Sequence, residues 1–361
     1  MSKPDLSLER LIAGEIEQSG PISFARFMER ALYEPGLGYY EREREIGKRG
    51  DYFTSVSVGD TFGQLLAFQF AEWLPASGPV QIVEAGAHDG RLAGDILNWL
   101  AKRQPKLLER LEYRLIEPSR THQLWQQATL KEFEGTVNWA ADLEGAGPIR
   151  GVVFSNELLD AMPVHRLRWN AARAGWEEWM VTWDGEEFGW ETRAANASAL
   201  QCAPMIAPEL SKVITDGFVL EVSPAAVVWW REAAALLKSG RLLTIDYGFT
   251  REERLQPERH AGTLRAYAGH TSSADVLGGP GEQDLTAHVD FTALEEAGLA
   301  AGLRTDTLDS QEVFLIRLFQ RTTAQPTELV DWTPPRLKQL QTLIHPAHLG
   351  RVFRVLVQTR V

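Results

Sequence analysis

Residues 80–90 read Val-Gln-Ile-Val-Glu-Ala-Gly-Ala-His-Asp-Gly, and this stretch decides the fold. It begins as a short apolar run, typical of a buried strand, and passes through a glycine turn into a helical pattern at residues 92–100. Glycine at such a turn lets the backbone approach a ligand, and the helix that follows presents free N–H groups. A dinucleotide site favours glycines spaced GxGxxG, but here Gly86 and Gly90 lie four residues apart. Glu84, two positions before the first glycine, is placed to receive an ammonium group.

Two further acids follow the next two predicted strands. Glu117 ends the apolar run at residues 113–117, and Asp142 ends the strand after it. Parallel sheets bind ligands at the carboxyl ends of their strands, and an acid after the second strand is the expected partner of ribose hydroxyls. Asp142 could then reach an adenine amino group, and Glu84 could bind the ammonium at the methionyl end of S-adenosylmethionine. The alternative is that these acids are solvated or cap helices.

Short apolar strands alternate with helices from residue 79 onward, which predicts an α/β fold with a parallel sheet and helices on both faces. We assign residues 79–361 to this core and residues 1–78 to an N-terminal helical extension with a loop. Two insertions interrupt the core. The first, at about 165–215, is predicted to be a β-hairpin because Asp184 and Gly185 form a strong turn signal. The second, at about 251–290, is polar and glycine-rich and long enough to form a lid.

The acidic composition narrows the class of partner. The chain of 361 residues has a formal net charge of −12, which disfavours nucleic acids and anionic membranes and suits a cationic substrate. The single cysteine, Cys202, excludes an internal disulfide and a cysteine zinc site, and the scattered histidines suggest no metal site. No apolar run approaches the ~20 residues of a membrane helix, and the first residues are too acidic for a signal or transit peptide. We therefore expect a cytoplasmic protein.

Six segments spread along nearly the whole chain carry family-like motifs. They are residues 21–28 (PISFARFM), 38–40 (GYY), 50–55 (GDYFTS), 156–165 (NELLDAMPVH), 245–248 (IDYG) and 284–291 (DLTAHVDF). Any one of these motifs alone is weak evidence, but together they are specific. Taken together, they resemble the MidA-type class I S-adenosylmethionine-dependent methyltransferases, a family that includes a mitochondrial complex I assembly factor.

The resemblance implies a Rossmann-like fold with a mostly parallel, seven-stranded sheet. It also implies S-adenosyl-L-methionine as methyl donor, a protein arginine as substrate, and a protein partner such as a respiratory-complex subunit. From their positions in the motifs, the resemblance implies that Gly86, Gly90 and Glu117 bind the cofactor. It further suggests that Thr54 and Ser55 close over the same pocket.

Two places depart from the family motifs. Residues 56–59 (VSVG) replace a stretch that contains Pro-Glu, and His88 stands where the family has a glycine. A side chain there would crowd the methionyl tail, shift the turn or contact the ligand, unless it is a tolerated surface variant. The predicted cofactor site comprises Thr54, Ser55, Glu84, Gly86, His88, Gly90, Glu117 and Asp142.

The candidates for catalysis follow the fourth strand of the core. An arginine guanidinium is always protonated in water and is a poor nucleophile, so carboxylates that clamp it would orient one nitrogen and stabilise the developing charge. We expect Glu157 to be the main substrate carboxylate, with Asp160 and Asn156 in support. If a helix begins there, Glu157 and Asp160 share one face, although acids in a first turn also act as caps. Further candidates are Asp246, His165 and His288.

Two other functions remain compatible with the sequence. One is a methyltransferase for a small molecule on the same fold. The other is a non-catalytic assembly factor that has kept the fold and lost turnover. Arginine specificity follows from the resemblance alone.

Overall fold

The strand that precedes the glycine turn lies inside a mixed β-sheet in the computed structural model, which describes residues 7–42, 54–211, 213–268, 271–273, 275–324 and 330–361. Within these ranges, seven strands form the main path of the sheet. In chain order they are β1 (Val80–Ala85), β2 (Leu111–Ile116), β3 (Val137–Ala140), β4 (Ile149–Asn156), β5 (Leu237–Phe249), β6 (Arg304–Ser310) and β7 (Phe353–Arg360).

The order of the strands explains where a ligand would bind. Across the sheet they run β6-β7-β5-β4-β1-β2-β3. The strands β1 to β5 are parallel, and β7 pairs antiparallel with both β5 and β6. From β1 the chain builds β2 and β3 on one side and then crosses to β4 on the other, which makes the gap between β1 and β4 the switch point where such sheets bind ligands. The predicted α/β fold with a mostly parallel sheet is confirmed, and seven strands lie on the main path of that sheet.

Helices cover both faces of this sheet. On one face, a large apolar core contains side chains such as Ile82, Phe154 and Val357 together with the helix Thr61–Trp73. On the other face, Gln358 accepts a hydrogen bond of 2.8 Å from the buried indole of Trp230. The helices of this part of the chain are Thr61–Trp73, Arg91–Arg103, Pro105–Leu108, Arg120–Thr129, Leu143–Ala146, Pro224–Leu236, Phe291–Ala300, Gln311–Ala324 and Pro334–Ile344.

A second, antiparallel sheet contains the predicted hairpin. Its strands are Ile22–Ser23, His165–Asn170, Gly175–Trp183, Phe188–Ala194 and Val219–Val222. At the hairpin turn, Asp184 accepts hydrogen bonds of 2.9 Å from the backbone N–H groups of Glu186 and Glu187. The hairpin is therefore present where the sequence predicts it.

The N-terminal helices pack on this hairpin. Leu8–Ser19 and Phe24–Tyr33 are capped by Ser7 and Ser23, whose hydroxyls accept from backbone N–H groups in the first turn. The ring centroids of Phe24 and Trp190 lie 5.4 Å apart, and those of Phe27 and Phe188 lie 5.3 Å apart. The apolar stripe of the second helix is thus buried by residues more than 150 positions away.

The polar insertion at about 251–290 is partly ordered into strands. Arg265–Ala268 pairs antiparallel with Thr271–Ser273 on one side and with Asp284–Thr286 on the other. Short helical segments, Arg251–Arg254 and Pro257–Arg259, precede it.

The chain divides into two units, each assembled from separate segments. The hairpin unit takes the described parts of residues 1–52, 160–228 and 249–293, and the sheet unit takes residues 53–159, 229–248 and 294–361. The sequence predicts the boundary of the N-terminal extension at residue 78. The grouping differs because the helix Thr61–Trp73 belongs to the core of the main sheet. The first four residues of the segment at 50–55 lie outside the described part of the chain.

The helices give no indication of a membrane span. Among the described residues, none of the helices combines the length and apolar character that crossing a bilayer requires.

Candidate cofactor and active site

The glycine turn after β1 has the backbone shape that the sequence predicts. Gly86 and Gly90 have φ values of 76° and 81°, in the left-handed region that favours glycine. A Cβ atom on Gly86 would lie 3.0 Å from the Leu158 side chain, and one on Gly90 would lie 3.3 Å from the Cα of Gln126. Gly86 is itself exposed. The turn is therefore packed against Leu158 and Gln126 on one side, while Gly86 is exposed to solvent. A ligand can approach the exposed backbone.

His88 adopts a left-handed conformation, which favours glycine. Its φ of 47° is left-handed, and its ring lies against His122 and Trp125 with centroid distances of 5.4 and 5.8 Å. Burial lowers the pKa of His88 to about 4, so the imidazole is neutral at pH 7. The backbone of His88 is therefore strained, its ring packs on neighbouring aromatic side chains, and its effect on cofactor binding stays a prediction.

Glu84 lies one residue before the end of β1 and is almost fully buried. Its Oε2 accepts a 2.5 Å hydrogen bond from the Tyr113 hydroxyl of β2. Burial raises the pKa of Glu84 to about 8, and the hydrogen bond from Tyr113 opposes this shift only in part. At pH 7 the carboxyl group therefore carries a proton, which a cationic ligand would displace.

Glu117 directly follows β2 and is held by three neighbours. Its Oε1 accepts from the Ser119 backbone N–H at 2.9 Å, and its Oε2 accepts from Gln126 Nε2 at 2.8 Å. The His122 Nδ1 lies 3.4 Å from the same Oε2. A carboxylate has about four lone-pair positions, so this one retains acceptor capacity for a hydroxyl.

The structure brings Glu117 and the glycine turn together through Gln126, a residue that the sequence analysis did not identify. The Gln126 amide donates to Glu117 and also, at 3.0 Å, to the carbonyl oxygen of His88. The sequence shows only one of several glutamines on a polar helix, and no local pattern marks it.

Asp142 is placed differently from the prediction. The strand β3 ends at Ala140, and the exposed Asp142 caps the short helix Leu143–Ala146, accepting from the Gly145 N–H at 2.7 Å. The prediction that Asp142 ends the strand is wrong, because the chain leaves the sheet two residues earlier. The helix-capping alternative describes its geometry, and an adenine contact stays a prediction.

The segment after β4 is a turn and not a helix. Glu157 has a φ of 51°, and its backbone N–H donates to the carbonyl of Ile245 at 3.0 Å. No helix occurs in residues 157–164, so the expectation that Glu157 and Asp160 share a helical face is wrong. A left-handed residue cannot be part of a right-handed helix, and the residues after Glu157 form bends and turns.

The carboxylate of Glu157 is anchored by two donors. Its Oε1 accepts from the Ser55 backbone N–H and from Asn156 Nδ2, each at 3.1 Å. The Ser55 hydroxyl in turn donates to Gln311 at 3.2 Å, and Thr54 Oγ1 accepts from the Ser57 N–H at 3.0 Å. The segment with Thr54 and Ser55 is therefore tied to the predicted catalytic carboxylate.

Asp246 stabilises the turn that follows Glu157 by accepting hydrogen bonds from its backbone. It is fully buried, and its Oδ2 accepts from the backbone N–H groups of Leu158 and Leu159 at 3.1 and 2.8 Å. Its Oδ1 accepts from the Tyr247 N–H at 2.8 Å. Because β5 continues to Phe249, Asp246 does not end the strand; it follows the last parallel pair, Ile245 and Asn156.

The remaining candidates lie in the hairpin unit. Asp160 is buried, and its carbonyl accepts from the Ala287 N–H at 2.9 Å. His165 Nδ1 lies 2.6 Å from Glu178, whose buried carboxylate also accepts from the Asn196 backbone N–H. His288 stacks on Phe249 at 4.8 Å, and burial lowers its pKa to about 4. Both histidines have the contacts of structural residues, and a catalytic role for Asp160 stays a prediction.

The polar groups at the switch point between β1 and β4 fit an adenosyl amino acid. Asn156 Oδ1 is buried and has no hydrogen-bond partner within the described ranges, so it offers an acceptor to a ligand. Glu84 and Glu117 supply carboxyl groups at adjacent strand ends, and the exposed Gly86 supplies open backbone. A search of the described residues finds no group of three or more His, Cys, Asp or Glu side chains that could hold a metal ion.

Comparison with known proteins identifies relatives of one kind. Residues 65–308 match a family of S-adenosyl-L-methionine-dependent methyltransferases. The chain is 30% identical over 308 residues to the mouse protein arginine methyltransferase NDUFAF7, mitochondrial, a match that covers 78% of this chain and 67% of that protein. The human protein of the same name is 28% identical over 319 residues, which cover 81% of this chain and 68% of its own length.

A solved structure matches almost the whole chain. A protein from Burkholderia thailandensis, crystallised with S-adenosyl-homocysteine bound, superimposes with a TM-score of 0.84 at 32% sequence identity. The match covers 98% of this chain and 92% of that one.

The relatives overturn one expectation from the sequence. The mouse and human proteins are mitochondrial by name, which contradicts the prediction of a cytoplasmic protein.

Proposed function

Because the chain belongs to the family of S-adenosyl-L-methionine-dependent methyltransferases, we propose that it transfers the methyl group of that cofactor to an arginine side chain of a protein. The names of the mouse and human relatives support arginine as the acceptor. The observation that carries the proposal is the anchored carboxylate of Glu157, which lies immediately beyond the carboxyl end of β4. A fixed carboxylate at this point is what the orientation of a guanidinium requires.

The cofactor is held by groups at the switch point. When bound, S-adenosyl-L-methionine would supply a methyl group on a sulfonium and leave as S-adenosyl-homocysteine, and the guanidinium nitrogen that accepts the methyl group would lose one proton to solvent. We assign the ammonium of the cofactor to Glu84, its ribose to Glu117 and its backbone contacts to Gly86 and Gly90. The open acceptor of Asn156 is a further candidate contact.

The chain's task towards the substrate is orientation and charge stabilisation. A guanidinium is a planar fork of N–H donors that matches a carboxylate. Glu157, fixed by Ser55 and Asn156, binds this fork and leaves one nitrogen directed away from it. Asp246 acts through the backbone of the turn and sets the position of Glu157.

A cationic protein is the proposed partner. The net charge of −12 attracts a basic segment and weakens contact with nucleic acids. A respiratory-complex subunit is the first partner to test, since the named relatives are mitochondrial.

The proposal is tested with isotopically labelled S-adenosyl-L-methionine and a set of respiratory-complex subunits and arginine peptides. We expect label on arginine, located by peptide mass spectrometry. Glu157→Gln keeps the size of the side chain and removes its charge, so turnover should fall by roughly 10²- to 10³-fold. Glu132→Gln, at an exposed position, is the matched control and should retain full turnover.

The same assay separates the competing functions. Label on small molecules and none on protein would replace the arginine proposal with the small-molecule alternative. Failure to bind S-adenosyl-homocysteine at millimolar concentration would exclude both enzyme functions and leave an assembly factor. Unchanged turnover in Glu157→Gln would remove Glu157 from the mechanism.

A further inference from the structure

One fully buried amide connects three elements at the cofactor site. The Gln126 side chain, on the helix Arg120–Thr129, has no exposed surface. Its Nε2 donates to the His88 carbonyl at 3.0 Å and to Glu117 Oε2 at 2.8 Å, and its Oε1 accepts from the Trp139 indole at 2.8 Å. These partners lie in the glycine turn, after β2 and in β3, respectively.

Each of the bonds made by Gln126 is directional. A primary amide has two N–H donors, and here both are used, one on each of two elements that are predicted to bind the cofactor. The Trp139 indole N–H determines which end of the amide carries the oxygen, because this donor must face the acceptor Oε1. The hydrogen-bond pattern therefore allows one orientation of the side chain, and that orientation aligns the turn with Glu117.

The bond to His88 also acts at a strained point. His88 is a non-glycine residue with a φ of 47°, a conformation that costs about 1–2 kcal/mol relative to the right-handed region. A donor on its carbonyl holds the peptide group in the orientation that this conformation gives it. Close packing reinforces this contact, because a Cβ on Gly90 would lie only 3.3 Å from the Gln126 Cα.

We propose that Gln126 is a positioning residue for cofactor binding, which locks the Gly86–Gly90 turn and the Glu117 carboxylate into one rigid site. Because it is fully buried, it acts through His88 and Glu117 and not by contact with the cofactor. The proposal rests on the cofactor roles assigned to that turn and to Glu117 under the proposed function.

The test is calorimetric titration of the full chain with S-adenosyl-homocysteine. Gln126→Glu keeps the acceptor for Trp139 and, when ionised, loses both donors and sets a second negative charge beside Glu117. We expect its Kd to exceed that of the wild type roughly 10- to 100-fold at pH 8. This ratio, measured against the wild type at the same pH, should fall in part towards pH 6, where a protonated carboxyl can donate one hydrogen bond to Glu117. The matched control is Gln127→Glu, one residue along on the exposed side of the same helix, and its Kd should stay within about twofold of the wild type.

A second variant separates positioning from folding. Gln126→Met fills a similar volume without polar atoms, so the ratio of its Kd to that of the wild type should rise equally at pH 8 and should not recover at pH 6. In turnover assays, both variants should raise the KM for S-adenosyl-L-methionine more than they lower kcat. Far-ultraviolet circular dichroism establishes that each variant is folded before it is titrated.

The outcomes distinguish the proposal from its premise. If folded Gln126→Glu or Gln126→Met binds S-adenosyl-homocysteine like the wild type at pH 8 while Glu117→Gln binds weakly, the positioning role is wrong and the site assignment stands. If Glu117→Gln also binds like the wild type, the cofactor site itself is wrongly assigned and the proposal falls with it.

Discussion

Glu84 is a buried carboxyl group in the position proposed to receive a cationic ligand. Its pKa is raised to about 8, chiefly by burial, so between pH 6 and 7.5 it is mostly protonated in the free protein. An ammonium favours the carboxylate, so binding must release the proton, and the binding free energy improves as the pH rises towards the pKa. The Kd for S-adenosyl-homocysteine should therefore fall by about tenfold per pH unit over this range.

Titration in two buffers with different ionisation enthalpies checks this prediction. About one proton should be released per ligand bound near pH 6.5. Glu84→Gln cannot ionise, so its Kd should be weaker and independent of pH. A wild-type Kd that does not change between pH 6 and 7.5 would show that Glu84 does not meet the ammonium.

His88 allows the cost of the glycine turn to be measured at a single residue. Replacing His88 by either Ala or Gly removes the ring contacts with His122 and Trp125 equally. Only glycine also removes the strain of the left-handed backbone conformation at this position, where φ is 47°. His88→Gly should therefore unfold with a free energy about 1 kcal/mol higher than His88→Ala, the reverse of the usual effect of glycine.

Urea unfolding of the two variants is the measurement. If His88→Ala proves at least as stable as His88→Gly, the residue does not hold a left-handed conformation in solution.

At the scale of elements, the turn between β4 and the hairpin unit depends on Asp246. Three backbone N–H groups donate to its buried carboxylate, two of them in the turn that follows Glu157. Asp246→Asn keeps one acceptor oxygen and turns an NH₂ group towards at least one N–H donor. We expect unfolding free energy to fall by about 2–3 kcal/mol and turnover to fall at least tenfold because Glu157 loses its fixed position.

Stability and turnover of Asp246→Asn should therefore change together, whereas Glu157→Gln should lower turnover with little loss of stability. Chemical denaturation and initial rates on the same samples separate the two effects. If Asp246→Asn is as stable as the wild type, the turn is supported by other contacts.

At the scale of the whole molecule, the hairpin unit is stabilised by contacts between residues that are far apart in the sequence. Phe27 is fully buried and packs against Phe24 at 5.8 Å and Phe188 at 5.3 Å. Phe27→Ala should lower the unfolding free energy by about 3–5 kcal/mol through lost transfer energy and a residual cavity. Met205→Ala, at an almost fully exposed side chain of the same unit, should change it by less than about 0.5 kcal/mol.

Tryptophan fluorescence during urea unfolding reports this loss, since Trp190 lies beside Phe24 in the same cluster. A Phe27→Ala protein with wild-type stability would mean that the N-terminal helices do not pack on the hairpin.

Local patterns in the sequence predict the sheet and place several candidate residues of the site at its strand ends. The strand, turn and helix around Gly86 follow from apolar runs, glycine positions and helix periodicity, and these depend on neighbouring residues only. Glu84 and Glu117 were predicted for the same reason, because an acid at a strand end is visible in the sequence. The sequence also identifies Glu157 as the candidate carboxylate, but the expected helix is absent because Glu157 has a left-handed backbone, which no local pattern reveals.

By itself the sequence determined the order of strands and helices, the glycine turn and the acids that follow the strands. Only the tertiary structure decided that Glu84 is protonated, that Asp142 caps a helix and that Gln126 joins the turn to Glu117. The physical reason is that a strand or turn is specified by residues a few positions apart. Burial and hydrogen-bond partners are set by segments that meet only when the chain has folded, and these determine the pKa of a carboxyl group and the direction of an amide.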